Sequence, residues 1–178
     1  MEKDTVIERL EIIDDLREAQ KLWEFYEEIF TPLNERTPIN QMFQKRDFFD
    51  FLVNQKVRKF VVKDKENIIG IGFITDQLEL DPWVSIPYFQ KYYPDVPIFN
   101  IMVIAVRPNR RGGNIAINLL RAMMNEVPPD GCGIFFHSRE ANRLIPQFAK
   151  KAAAGCIEGR ELDSEALSIF FWKNKNHF

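Results

Sequence analysis

Apolar residues change their period several times along the chain, and each change predicts an element. Thr5 to Ile13 has the character of a strand. Asp14 and Asp15 follow, placed to cap a helix with their charges at the positive end of its dipole. Leu16, Ala19, Trp23, Tyr26 and Phe30 then recur at helical spacing, until TPLNERTP breaks the pattern. A second, aromatic-rich helix is expected over Arg46 to Val53. VRKFVVK and IIGIGFI flank the turn-prone DKEN and predict a β-hairpin. ELDPWVSIPYFQKYYPDVP, with Pro82, Pro87, Pro94 and Pro97, reads as a long irregular connection rich in large rings. IFNIMVIAV is apolar almost throughout and predicts a strand covered on both faces. A largely buried helix is expected to start near Asn114. IFFHS predicts another strand, Asn142 to Ala154 a helix with Pro146 in its first turn or kinking it, and Cys156 to Arg160 and Leu167 to Lys173 two last strands. Helices after single strands in the second half and a hairpin in the first imply a mixed α/β sheet with helices on both faces.

Composition narrows the class. The 178 residues suit one domain, 1–178, and no repeat, low-complexity tract or linker divides them. The formal net charge of −2 provides no general attraction for nucleic acid or an anionic membrane, so any anion site must be local. Cys132 and Cys156 form no CxxC pair and join no histidine cluster, so no metal site is expected. The MEKDTVIERL start lacks an apolar signal core, and no apolar run has membrane-spanning length. The expectation is a cytoplasmic protein with reduced thiols. The 16 phenylalanines make a bulky interior, and some could line a cavity.

The chemistry concentrates in VRPNRRGGNIAINLL, Val106 to Leu120. A strand that passes directly into a helix presents backbone N–H groups without internal partners, at the positive end of the helix dipole. Gly112 and Gly113 permit close backbone approach, and Arg107, Arg110 and Arg111 add charge and bidentate donors. The corner reads as a pyrophosphate cradle, though neither a Walker loop nor GxGxxG. The same residues are compatible with a surface turn that only links strand to helix, and taken alone they do not separate the two.

The surrounding pattern does. An apolar strand, V-x-P-x-x-R-G-x-x-I-A-x-x-L-L, then a strand and a helix opening on asparagine, resembles the GNAT superfamily of acyl-CoA-dependent N-acyltransferases. The likeness covers most of the chain in element order, with specific motifs from about Asn100 to Gly155. It implies about six to seven mostly antiparallel strands with helices on both faces. It also implies that Ile104, Ala105 and Val106 bond the pantetheine amides through their backbone, and that Arg111, Gly112, Gly113, Asn114, Ile115 and Ala116 hold the pyrophosphate. Asn142 would contact the pantetheine arm, and it suits an N-cap equally. Asn114 replaces a glycine of the family loop, and asparagine tolerates left-handed geometry best after glycine.

Acyl transfer to an amine requires a proton acceptor, an oxyanion partner and a leaving thiol. Many GNAT proteins resemble one another in a glutamate on the central strand and a tyrosine in the later helix. Here Asn100 and Ala149 occupy the corresponding positions. Candidate catalytic groups are His137, Asn100 and Glu79, with Asp76 and Asp81 beside the long connection. His137 is equally a strand-end histidine satisfied by backbone. Tyr92, Tyr93, Trp83 and Tyr88 suggest pocket walls, for an apolar acceptor or an acyl group longer than acetyl; Trp23 and Phe30 read as core. The implied activity is N-acyl transfer from acetyl-CoA or another acyl-CoA to a small-molecule amine, by a monomer or homodimer. Two alternatives stand beside it: a non-catalytic module that binds acyl-CoA or a protein partner, and a transferase using an acyl carrier protein docked on Arg107, Arg110 and Arg121.

Overall fold

The computed structural model describes residues 5–36, 40, 42–111 and 114–136. Strand β1 (Thr5–Leu10) leads to helix α1 (Leu16–Asn34) and helix α2 (Lys45–Val53). Strands β2 (Val57–Asp64) and β3 (Asn67–Thr75) form the hairpin. A 3-10 turn at Leu78–Leu80 and helix α3 (Ile86–Tyr92) precede strand β4 (Ile98–Val106). A second 3-10 turn at Pro108–Arg110, helix α4 (Ile115–Met124) and strand β5 (Cys132–Ile134) complete the described order. The last two expected strands and the helix beginning at Asn142 lie outside these residues.

The five strands lie in chain order, with β1–β2, β2–β3 and β3–β4 antiparallel and β4–β5 parallel. This is the mixed sheet expected. Helices α1 and α2 cover one face, over Val57, Val61, Ile71, Phe73 and Val103. Helix α4 covers the other, over Phe60, Val62, Ile74, Phe99 and Ile101. β4 is apolar at every position but Asn100 because both of its faces are covered.

Several boundaries differ from the pattern, each for a local reason. Asp15 alone caps α1, its carboxylate accepting from the N–H groups of Arg17 and Glu18. The helix then runs through Thr31 and Pro32 to Asn34. Pro32 sits in the last turn, where its missing N–H forfeits a single helical bond. The buried face of α1 centres on Leu22, Trp23, Phe25, Tyr26 and Ile29, and Leu16 is exposed. Phe30 is half-buried, stacked on Tyr26 at 4.5 Å between centroids. The long connection is not wholly irregular: Pro87 opens α3, in the first turn, where a proline costs no hydrogen bond. β5 begins at Cys132 and ends at Ile134, earlier than the IFFHS pattern suggested. Its start is set by the Cys132 N–H bond to the Pro97 carbonyl, 2.9 Å.

Two features of the sheet carry testable consequences. Gly72 faces α4, and a Cβ there would lie 2.8 Å from Met123 Sδ and 3.1 Å from Leu119 Cγ. Gly72→Val should therefore destabilise the fold by about 1–3 kcal/mol, the cost of overpacking, measured by urea unfolding. Lys59 is fully buried on β2 and donates to the carbonyls of Glu11 and Asn54. Burial pushes its ammonium from the ordinary 10.5 down to about 8, against the pull of the Glu11 carboxylate. The unfolded chain keeps this proton up to 10.5 and the folded chain only to about 8, so unfolding takes up a proton between them. Stability should thus rise with pH across that window, by at most about 1.4 kcal/mol per pH unit. Lys59→Met should abolish this contribution, read as the difference between wild-type and variant unfolding free energies across the window.

Candidate functional site

The sheet opens where β4 and β5 part. Their parallel pairing joins Ile98, Phe99 and Asn100 to Cys132, Gly133 and Ile134, and ends there among the described residues. β4 continues to Val106 with β3 alone. The register slips just past the parting point: Phe73 pairs with Val103 and Ile74 with Ile101, leaving Met102 as an extra residue in β4. Such a bulge bends and twists its strand, which suits a strand that leaves its neighbour.

The hydrogen-bond phase of β4 follows from one bond. Arg107 N–H donates to the Ile69 carbonyl at 2.9 Å. In an antiparallel ladder bonded and non-bonded pairs alternate, so Ala105 spends its amide and carbonyl on β3. Ile104 and Val106 turn theirs the other way, into the opening. The Val106 carbonyl is already occupied by Arg111 Nε at 3.2 Å. The open edge therefore offers the amide and carbonyl of Ile104 and the amide of Val106.

The three arginines of the corner do different work. Arg107 reaches both carboxylate oxygens of Glu28 at 2.7 Å, bonds the Ile68 carbonyl, and lies over the Phe25 ring at 5.2 Å. Arg110 pairs with Asp64 at the end of the hairpin. These two fasten the corner to α1 and to β2, and their partner carboxylates weaken them as a docking patch. Arg111 is exposed and has no carboxylate partner among the described residues. Its guanidinium is fixed at one edge by the Val106 carbonyl.

Asn114 is the N-cap of α4 with φ −91° and ψ 3°. Its φ is negative, so no left-handed conformation is needed at that position. Its side chain makes no capping bond to the first N–H groups of α4. Ile115 and Ala116 are half-buried in the first turn. Gly112, Gly113, His137, Asn142 and Ala149 lie outside the described residues.

Asn100 sits at the parting point, fully buried. Its strand neighbours Phe99 and Ile101 pack toward α4, so its side chain faces the α1 and α2 side. There Asn100 Nδ2 donates to Asp81 Oδ2 at 2.8 Å, and Asp81 Oδ1 accepts the Trp83 N–H at 3.0 Å. Asp81 is 5% exposed. Asn100 Oδ1 is buried with no partner. Glu79 and Asp76, by contrast, are exposed. Sequence reasoning registered Asp81 only as one of several acids; its 19-residue separation from Asn100 left no motif to link them.

Tyr26 closes this region from α1. Its hydroxyl accepts the Phe43 N–H at 2.8 Å, and it is almost fully buried. Burial raises its pKa, the Phe43 bond opposes the rise, and the negative charge of Asp81 adds to it. A cleft of about 440 Å³ opens between α1 and the α1–α2 connection, beside Trp23. Trp23, Met42 and Phe43 supply apolar lining, and Gln20, Glu27 and Lys45 polar lining. Lys45 is held by Gln20 at 3.0 Å and lies 5.5 Å from the Phe49 centroid. Among the described residues no acidic, histidine or cysteine cluster could hold a metal ion, and no helix is long and apolar enough to cross a membrane.

This architecture matches solved acetyltransferases along nearly its whole length. An aminoglycoside acetyltransferase from an uncultured soil metagenomic sample, solved with sisomicin, is 18% identical. It aligns over 97% of each chain with a TM-score of 0.55. A ribosomal-protein-alanine N-acetyltransferase from Brucella melitensis biovar Abortus 2308 is 13% identical, over 94% of this chain and 98% of that one, with a TM-score of 0.56. The aminoglycoside N-acetyltransferase AAC(6')-Iy, solved with CoA, is 11% identical, over 96% and 95%, with a TM-score of 0.56. No protein-family model and no curated protein sequence matches the chain. At these identities the likeness is one of fold: the chain has the GNAT acetyltransferase fold.

The Asn100–Asp81 contact carries a stability prediction. Asn100→Ala leaves a buried carboxylate one hydrogen bond short and should destabilise the protein by about 1.5–3 kcal/mol, measured by urea unfolding beside Glu79→Ala, which should change little.

Proposed function

We propose that the protein is an N-acyltransferase that moves an acyl group from acetyl-CoA, or a longer acyl-CoA, to the amine of a small molecule in a ternary complex. The observation that carries this reading is the open edge of β4. Ile104 and Val106 turn backbone groups into the opening beyond Asn100, where an extended amide-bearing chain completes the ladder as a strand would. The pantetheine arm is such a chain, with a donor and an acceptor in each of its two amides. Its pyrophosphate then reaches the corner, where Arg111 and the uncapped N–H groups of α4 are anion partners. Gly112, Gly113 and Asn142 belong to the same proposed contact set by family resemblance, and His137 stays a candidate near the sulfur. The acceptor enters from the α1 and α2 side, where the cleft combines rings with the Glu27 carboxylate. That suits a cation with an apolar body, and the aminoglycoside acetyltransferases of the same fold make amino sugars the first acceptors to try.

A second reading is favoured by one observation. The position of the strand glutamate holds Asn100, already bonded to Asp81, so a non-catalytic acyl-CoA-binding module fits the same cradle. Amine-dependent release of free thiol from acetyl-CoA rejects that module, and supplying the acyl group on a carrier protein in the same assay separates the two donor classes.

Calorimetric titration with CoA and acetyl-CoA tests the cradle, and absence of binding at millimolar ligand overturns it. Arg111→Ala should weaken CoA binding by about 1–3 kcal/mol, the value of a charge-assisted hydrogen bond. Unchanged affinity would assign the cradle to backbone groups alone.

A further inference from the structure

We propose that Asp81 and Asn100 together form the acceptor-amine site, Asp81 taking the ammonium proton and Asn100 Oδ1 holding the nitrogen. This rests on the acyltransferase reading and names the groups that perform its first step.

Polarity comes first. A carboxylate only accepts hydrogen bonds, so the group Asn100 turns toward Asp81 must be its Nδ2, and Oδ1 is what remains. That oxygen is fully buried and unpartnered. A buried acceptor without a donor is costly, and such exceptions concentrate where a ligand supplies the missing bond. Everything the pair offers is an acceptor: Asn100 Oδ1 and the spare lone pairs of the two Asp81 oxygens. An anion is repelled here. An ammonium group, with three donors on one nitrogen, matches.

Placement comes second. Asn100 is the last residue of β4 with a partner on β5, so the pair stands at the apex of the opening whose edge receives the thioester arm. Leu80 of the preceding 3-10 turn packs into the α1–α2 core and anchors the approach of Asp81 to β4. The Trp83 N–H bond fixes the carboxylate plane. Asp81 is thus held on both oxygens, whereas Glu79 and Asp76 are exposed and unfit to hold a nitrogen in one geometry. The Asp81 charge reaches Tyr26 on α1, so the negative field of the pair extends toward the α1 side of the sheet.

The chemistry balances without another reactant. The ammonium gives one proton to Asp81, and the neutral amine nitrogen attacks the thioester carbonyl carbon. The C–N bond forms, the C–S bond breaks, and the second amine proton goes to the departing thiolate. Asp81 releases its proton to solvent, leaving an amide, CoA thiol and one proton from an ammonium and an acyl-CoA.

Asp81→Asn is nearly isosteric and keeps a partner for Asn100 if that amide turns over, presenting Nδ2 where Oδ1 stood. It therefore converts the free acceptor into a donor while the fold is retained. Asp81→Asn combined with Asn100→Asp returns a carboxylate to the pair from the strand side. The full-length protein is assayed for thiol release from acetyl-CoA with a panel of primary amines spanning amino sugars and arylalkylamines, and without amine. CoA binding is read by calorimetry, and folding by thermal unfolding. Asp81→Asn should lower kcat by about 10²–10⁴-fold, the range for a general base, with CoA affinity and unfolding midpoint retained. The double variant should recover at least about a tenth of the wild-type rate. Binding of benzylamine to the CoA-loaded protein should disappear in Asp81→Asn. Full turnover in Asp81→Asn, or CoA binding by the wild type with no thiol release under any condition, overturns the proposal and leaves the cradle standing. Absence of CoA binding in the wild type overturns the acyltransferase reading itself, and the amine site with it.

Discussion

Among the described residues β4 has strand partners on both sides only as far as Asn100, and the proposed site depends on that limit. A strand edge inside a protein is a liability unless something pairs with it. Here the edge begins part-way along β4, in a sheet covered by helices on both faces. The extra residue at Met102 makes the divergence local. It bends β4 just after its last β5 partner and exchanges which side chains face α1 and which face α4. One inserted residue thus opens the cleft and turns the Ile104 backbone into it.

The corner that follows β4 shows how one charge type divides into two tasks. Arg107 and Arg110 are neutralised by Glu28 and Asp64, on α1 and at the hairpin end. Such partly exposed pairs contribute little net stability. Their value is geometric, since they hold the corner against two separate elements. Arg111 keeps its charge but loses freedom, through the Val106 carbonyl. An anion arriving here meets one positioned guanidinium and a helix start, with less entropy to lose than three mobile arginines would require.

How far the sequence anticipated this varies with how local each cause is. The hairpin, α2 and the strand–corner–helix unit were legible because alternation, helical spacing and turn residues act within a few positions. Helix α3 was missed because Pro87 reads as a breaker, yet at a helix start it costs nothing. Pro32 misled in the same way at the other end of a helix. The bulge at Met102 leaves no trace in a strand that is apolar on both faces, because uniform hydrophobicity erases the period that would mark the slip. The partners of Arg107 and Arg110 lie 79 and 46 positions away, so the arginines looked free. Asn100 looked isolated for the same reason: the carboxylate it bonds, Asp81, arrives from the connecting segment.

That displacement changes what the absent strand glutamate means. A carboxylate borne directly on β4 would share the fate of the strand, fixed in place by the ladder. On the connecting segment it is held instead by three contacts: Asn100, the Trp83 amide and the packing of Leu80 into the α1–α2 core. The arrangement leaves a buried carbonyl oxygen unsatisfied, a cost of about 1–3 kcal/mol in a fold whose total margin is about 5–15 kcal/mol. A leucine or valine at position 100 would remove that cost, since Met102, Phe73 and Val103 already make that face of the sheet apolar. It would also leave Asp81 buried with a single partner, so the two polar residues stand or fall together. The pair makes little sense as packing; it sets acceptors of one sign at the point where the sheet opens.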